Sequence, residues 1–147
     1  MGIECIVSSE TLSLHRAHLD ALRAKKRMGL NMSKDLDADI QSHVLYFSSF
    51  CRERMRCERI RKGYGSENAF VFELKEYAER QSACFLYIFP LHRFPYVGFS
   101  ASAKDIRRTV LCIDLFEHAY FLDYGFDRSA YLTAALSHLD LSVFDKE

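Results

Sequence analysis

The sequence has no excess of charge. Its 20 Lys and Arg balance 20 Asp and Glu, so no global field recruits nucleic acid or an anionic membrane surface. No apolar run approaches the length needed to span a bilayer, and residues 1–9 lack the basic and apolar regions of a secretory signal. The five cysteines are odd in number and scattered, which argues against a disulfide framework. Cys51 and Cys57 are too far apart for a zinc knuckle pair, and no second pair accompanies them. Reduced thiols in a cytoplasm are therefore expected. There is no internal repeat and no low-complexity segment. What the chain does have is apolar matter: 49% of its 147 residues are hydrophobic and 14% aromatic. That suffices for one domain, or for two small layers sharing a core.

Two amphipathic helices are expected first. Ser8 or Ser9 can cap the first, with Glu10 in its first turn. Leu12, His15, Leu19 and Leu22 recur at helical spacing, which sets His15 inside the apolar stripe. The opposite face carries Arg16, Arg23, Lys25, Lys26 and Arg27, an ordinary solvated face. Gly29, Leu30 and Asn31 end this helix, and Ser33 can cap the next. Leu36, Ile40, His43, Phe47 and Phe50 form its stripe. A lone histidine on such a stripe is usually a satisfied core residue. So short a connection makes the two helices antiparallel neighbours, and both histidines can then face one point between them.

Residues 51–62 are dense in arginine and read as an exposed helix or linker. Gly63, Tyr64 and Gly65 mark the boundary between two halves, 1–62 and 63–147. Ser66 caps a helix with Phe70, Leu74 and Tyr77 on its inner face. Residues 82–89, 96–101 and 108–113 read as three strands, with Pro90 and Pro95 bracketing a turn. His92 falls in that turn and is expected to be exposed. Asp127 caps a last helix carrying Tyr131, Leu132, Ala135, Leu136 and Leu139, with His138 near its end. The expected class is α+β: an antiparallel helical hairpin followed by an α/β part with a three-stranded antiparallel sheet.

Asp114 and His118 stand four residues apart at the exit of the last strand. A buried charge there is costly unless something neutralises it. Carboxylate and imidazole together suit manganese, iron or zinc. A surface ion pair is the plainer alternative.

The wording around this pair is more specific. Residues Asp114 to Tyr120 resemble the Asp-x-Trp-Glu-His-Ala-Tyr signature of the iron/manganese superoxide dismutases, with Phe116 in place of tryptophan. Asp123, Tyr124, Arg128 and Tyr131 resemble that family's Asp-Tyr-x-x-x-Arg-x-x-Tyr. Glu10 to His15 resembles its Glu-Thr-Leu-x-x-His, and His43 to Phe47 its His-x-x-Tyr-Phe/Trp. Tyr64-Gly65-Ser66 resembles its Phe-Gly-Ser. The order of elements is similar as well. The chain is short for the family, with residues missing between the first two helices and after Phe50.

The resemblance implies that His15, His43, Asp114 and His118 ligate one iron or manganese ion, and that superoxide is the substrate. It implies a homodimer in which Glu117 reaches the ligand histidine of the second copy, with Tyr120 beside it. Around the metal it implicates Arg23, Asp39 and Tyr46. Arg23 stands where the family has a gateway tyrosine, Leu19 where it has a histidine and Phe121 where it has a further tyrosine. Asp39 stands at one of two family positions for an outer glutamine; the other lies near Ser102 and Ala103. Asp39 shares a helical face with His43, so it either bonds metal-bound solvent or is a solvated carboxylate. His18 is set about 100° from the position of the missing histidine. Two readings follow: a shortened, divergent dismutase, or a non-enzymatic member of the fold used for structure or assembly, as in relatives found in mitochondrial ribosomes.

Overall fold

A computed structural model describes residues 2–29, 34–81, 83–91, 94–100 and 108–146. Helix α1 spans Ser9–Arg27, and the Ser8 side chain accepts a hydrogen bond from the Thr11 N–H at 3.2 Å. Lys25, Lys26 and Arg27 fill its last turn, where the helix dipole favours cations. Helix α2 spans Lys34–Ser48. Lys26 at the end of α1 meets Asp37 at the start of α2, while His15 near the start of α1 meets Tyr46 and Phe47 near the end of α2. Contacts at both ends make the pair antiparallel, as expected. Leu30, Asn31 and Ser33 lie outside the described residues, as do His92, Ser102 and Ala103.

The arginine-dense segment, expected as an exposed helix or linker, is linker first and helix after. Residues 51–57 form no helix and are joined to the C-terminal part by bridges Phe50↔Leu139 and Met55↔Asp140. Helix α3 begins only afterwards, at Glu58–Tyr64, and runs through Gly63. Gly65 ends it in the left-handed region at φ 80°, which a side chain would resist. Helix α4, Glu67–Glu79, is capped by Ser66. Its buried face is Phe70, Leu74 and Ala78, whereas Tyr77 is 46% exposed and donates to Glu73. The expectation for Tyr77 fails because α4 packs against the last helix through the smaller Ala78, which admits a closer approach.

Strands β1 (Phe85–Leu91), β2 (Phe94–Ser100) and β3 (Leu111–Asp114) form one antiparallel sheet in the order β2-β1-β3. The two prolines do not bracket a wide turn. They face each other within the β1–β2 ladder, whose last described pair is Leu91↔Phe94. Proline lacks an N–H, and both positions tolerate this. Pro90 lies beyond the start of β3, where β1 has lost its second neighbour, and Pro95 is on an edge strand. The third strand begins later than expected and includes Asp114, opposite Phe85.

A 3-10 turn, Glu117–Ala119, and the short helix α5, Phe121–Tyr124, connect β3 to helix α6, Arg128–Ser137. Asp127 caps α6 as expected, and Tyr131, Leu132, Ala135 and Leu136 are its buried face. His138 caps its end and approaches the Cys51 carbonyl at 3.0 Å. One apolar core runs from Ile3 and Leu12 through Tyr46 and Phe70 to Phe144, drawing on both sides of Gly63.

The N-terminal segment is pressed into this core. Gly2 is buried against Phe50 and Cys51, and a Cβ built on it would stand 2.3 Å from the Cys51 nitrogen. Overpacking of this kind costs about 1–3 kcal/mol. Gly2→Ala is expected to lower the thermal midpoint by several degrees, followed by circular dichroism. An unchanged midpoint would mean that this segment does not pack there.

Candidate metal centre

Asp114 ends β3 with no exposed surface. Its Oδ1 accepts the Phe116 N–H at 2.8 Å, which fixes the carboxylate against its own turn. Its Oδ2 is the meeting point of three imidazoles. His15 Nε2 is 2.8 Å away, His118 Nε2 2.9 Å and His43 Nε2 3.9 Å. One ligand atom from each of the four residues lies within 4.8 Å of all the others. These are the four residues expected as ligands, and the fold brings them together from α1, α2, β3 and the 3-10 turn.

The protonation balance follows from burial and contact. Burial works to raise the pKa of Asp114, but its close contacts with His118 and His15 outweigh it and hold the carboxyl down at about 2. Burial lowers that of His15, against the pull of Asp114. Burial also acts to lower that of His43, but its hydrogen bonds to Asp39 overcome this and leave it raised. His43 Nδ1 is 2.8 Å from the Asp39 carbonyl and 3.3 Å from the Asp39 carboxylate. A proton on Nδ1 leaves the Nε2 lone pair for an electrophile.

An ion fits this arrangement. The Nε2 atoms of His15 and His43 are buried and make no aligned hydrogen bond. Buried polar atoms of that kind are costly unless something else engages them. Three nitrogens and one hard oxygen form a donor set suited to iron, manganese or zinc. Donors about 2.1 Å from a shared ion stand about 3–4 Å apart, a spacing compatible with this cluster.

The surroundings divide into a wall and a mouth. Behind the cluster, Phe47 and Phe85 pack edge-on to His15 and His43, and Phe116 stacks on His118 with rings 7° from parallel. Tyr46 is fully buried beside His15, and its hydroxyl is 2.7 Å from that of Tyr131. Tyr131 donates in turn to the Asp114 carbonyl at 2.7 Å. Tyr120 stacks on Tyr131 at 5.0 Å. In front, a cavity of about 330 Å³ opens between Leu14, His18, Glu117, Phe121 and Leu122, with His15 and His118 at its base. Glu117 is exposed at this mouth.

Other residues of the sequence analysis stand elsewhere. Arg23 is exposed two turns along α1 from His15 and does not line the cavity. Asp39 faces the outer nitrogen of His43. His18 was set aside on its helical angle, yet its ring lies 5.1 Å from His43 and 5.2 Å from His118. Its separation of three residues from His15 was the available signal, since such pairs share a helix face. The Tyr46–Tyr131 pair has no local signature, because 85 residues separate its members.

The two phenols are not equivalent. Tyr131→Phe leaves the Tyr46 hydroxyl buried without its partner, at a cost of about 1–3 kcal/mol. Tyr46→Phe leaves Tyr131 still bonded to Asp114 and should cost about 1 kcal/mol. Urea unfolding of both variants is expected to show the larger loss for Tyr131→Phe, and the reverse order would contradict the direction of this chain.

Comparison with known proteins agrees with the geometry. A search of curated proteins finds no match. Residues 53–147 match the family described as iron/manganese superoxide dismutases, C-terminal domain. The matched region holds Asp114 and His118, while α1 and α2, which supply His15 and His43, precede it. With well over half of its length matched and the four donors assembled, the chain belongs to the iron/manganese superoxide dismutase family.

Proposed function

We propose that the protein converts superoxide to oxygen and hydrogen peroxide at one iron or manganese ion per chain, held by His15, His43, Asp114 and His118. The observation that carries this reading is the convergence of three imidazole nitrogens on one buried carboxylate oxygen at the base of a cavity. Such an ion supplies one-electron chemistry by alternating between two oxidation states. The chain's own residues do the rest. Asp114 balances the positive charge of the centre. Phe47, Phe85 and Phe116 keep water from its back, which strengthens every interaction inside. The Tyr46–Tyr131 chain anchors the Asp114 backbone carbonyl, and the Phe116 N–H holds the carboxylate. Asp39 orients His43 through its outer nitrogen. Arg23 acts only at a distance, as a positive charge that favours the approach of an anion. None of the five cysteines is in a disulfide, in keeping with a reducing cytoplasm as the compartment.

A second reading keeps the fold and the metal without turnover. Leu19, Arg23 and Phe121 stand where the family has groups that gate substrate and pass protons, and neither Arg23 nor Asp39 faces the open side of the cluster. Activity is therefore expected to be weak. Protein grown in iron- or manganese-supplemented medium should hold about one ion per chain, and His43→Ala should lower occupancy by about ten-fold or more. Superoxide decay after pulse radiolysis should be faster with loaded protein than with His118→Ala. Decay no faster than that control with either metal would leave the non-enzymatic reading.

The same mouth supports a homodimer. Leu14 and Leu122 are each 60% exposed and line the cavity with Glu117, an apolar rim that a second copy would cover. Glu117 would then accept from the partner's metal-bound imidazole. Glu117→Ala should weaken both association and metal retention, read by sedimentation velocity and metal analysis. A wild-type protein that is monomeric at micromolar concentration would remove this role.

A further inference from the structure

Four imidazoles stand close together, three of them, His15, His18 and His118, lining the cavity. The ring of His18 stands 5.1 Å from that of His43 and 5.2 Å from that of His118. The corresponding separations for His15, whose nitrogen touches Asp114, are 5.0 and 4.8 Å. His18 is therefore as near to the other two rings as an inner donor is. It differs in that its nitrogens lie outside the four-donor group, and its ring faces the cavity.

His15 and His18 are three residues apart on α1, a spacing at which one helix presents two side chains to a single ion. The His18 ring is tilted 53° to His43 and 38° to His118. His18 is exposed, which leaves its side-chain torsions less constrained than those of a packed core ring. Of the neighbouring carboxylates, Asp39 is engaged with His43 Nδ1, and Glu117 shares the cavity with His18.

We propose that His18 is a fifth nitrogen donor to the ion held by His15, His43, Asp114 and His118, entering from the cavity and closing the open side of that set. The proposal rests on the metal-holding reading above. A closed set of protein donors distinguishes a holding site from one that leaves a position for an incoming molecule. His18 thus competes with small anions for the ion and adds to the strength with which it is held.

Two measurements on the iron-loaded protein separate a donor from a mere lid. Azide, a small anionic probe, is titrated by its charge-transfer absorption, and iron retention is followed against a chelator. His18→Ala is expected to bind azide about ten-fold more tightly and to lose iron about ten-fold more readily than wild type. His18→Gln, which keeps the bulk, should follow it. Tighter azide binding with unchanged iron retention would make His18 a steric lid and overturn the proposal, as would no change in either quantity. Wild-type protein that holds neither iron nor manganese would overturn the metal-holding reading itself.

Discussion

A carboxylate shut away from water has to be matched by its surroundings, and Asp114 sets the terms for the rest of this fold. Burying an unpaired charge costs several kcal/mol, roughly as much as a small domain's whole margin of stability. Every group around Asp114 answers that cost. The Phe116 N–H meets one oxygen, and three imidazoles meet the other. The strand beneath is fixed by pairing with Phe85–Ile88, by the Ser49 hydroxyl on the Cys112 N–H and by the Tyr131 hydroxyl on the Asp114 carbonyl. The antiparallel α1–α2 pair must therefore approach β3 from the side that brings both helix histidines to one oxygen. Asp123 accepts the Ser8 N–H at 2.8 Å, and Tyr124 donates to the Ile6 carbonyl. These bonds tie the start of α1 to the segment that follows His118.

The parts legible in the sequence are those governed by local rules. Caps at Ser8, Ser66 and Asp127 announce three helices, because a side-chain oxygen near a helix start has few other uses. His15 and His43 stood out as polar residues on apolar stripes, and both prove buried. Asp114 and His118 were four residues apart with a recognisable setting. The failures are equally physical. Tyr77 and Ala78 are adjacent, and only packing against α6 decides which of them turns inward. The place of Pro90 depends on where β3 begins, which the β1 sequence does not record. His18 was judged by its angle to a neighbouring position rather than by its distance from two other rings. Long-range pairs such as Tyr46 and Tyr131 belong to the tertiary structure alone.

The site is uneven in a way that bears on its chemistry. Its inner wall keeps four donors, aromatic neighbours and a tyrosine chain to the Asp114 backbone carbonyl. Its mouth departs from the family pattern at Phe121, after the 3-10 turn; away from the cavity, the buried Leu19 and the exposed Arg23 on α1 depart from it too. The difference follows the energetics. A wall residue lies against buried charge, so changing it leaves an atom without a partner. A mouth residue faces solvent, and changing it leaves nothing orphaned. Divergence at the mouth is therefore cheap for stability even where it is expensive for turnover.

Holding a metal and using it are thus separable properties of this fold. Holding depends on the inner donors, whose lone pairs are buried and whose separations are set by α1, α2 and β3. Use depends on the open side, where the groups that would pass protons are replaced and another imidazole has come within reach. The two demands pull in opposite directions at His18. A ring that strengthens the hold does so from the same side by which a small anion must arrive. The position of one helical residue, three places from the first ligand, therefore decides how far this centre resembles a closed metal site and how far an open one.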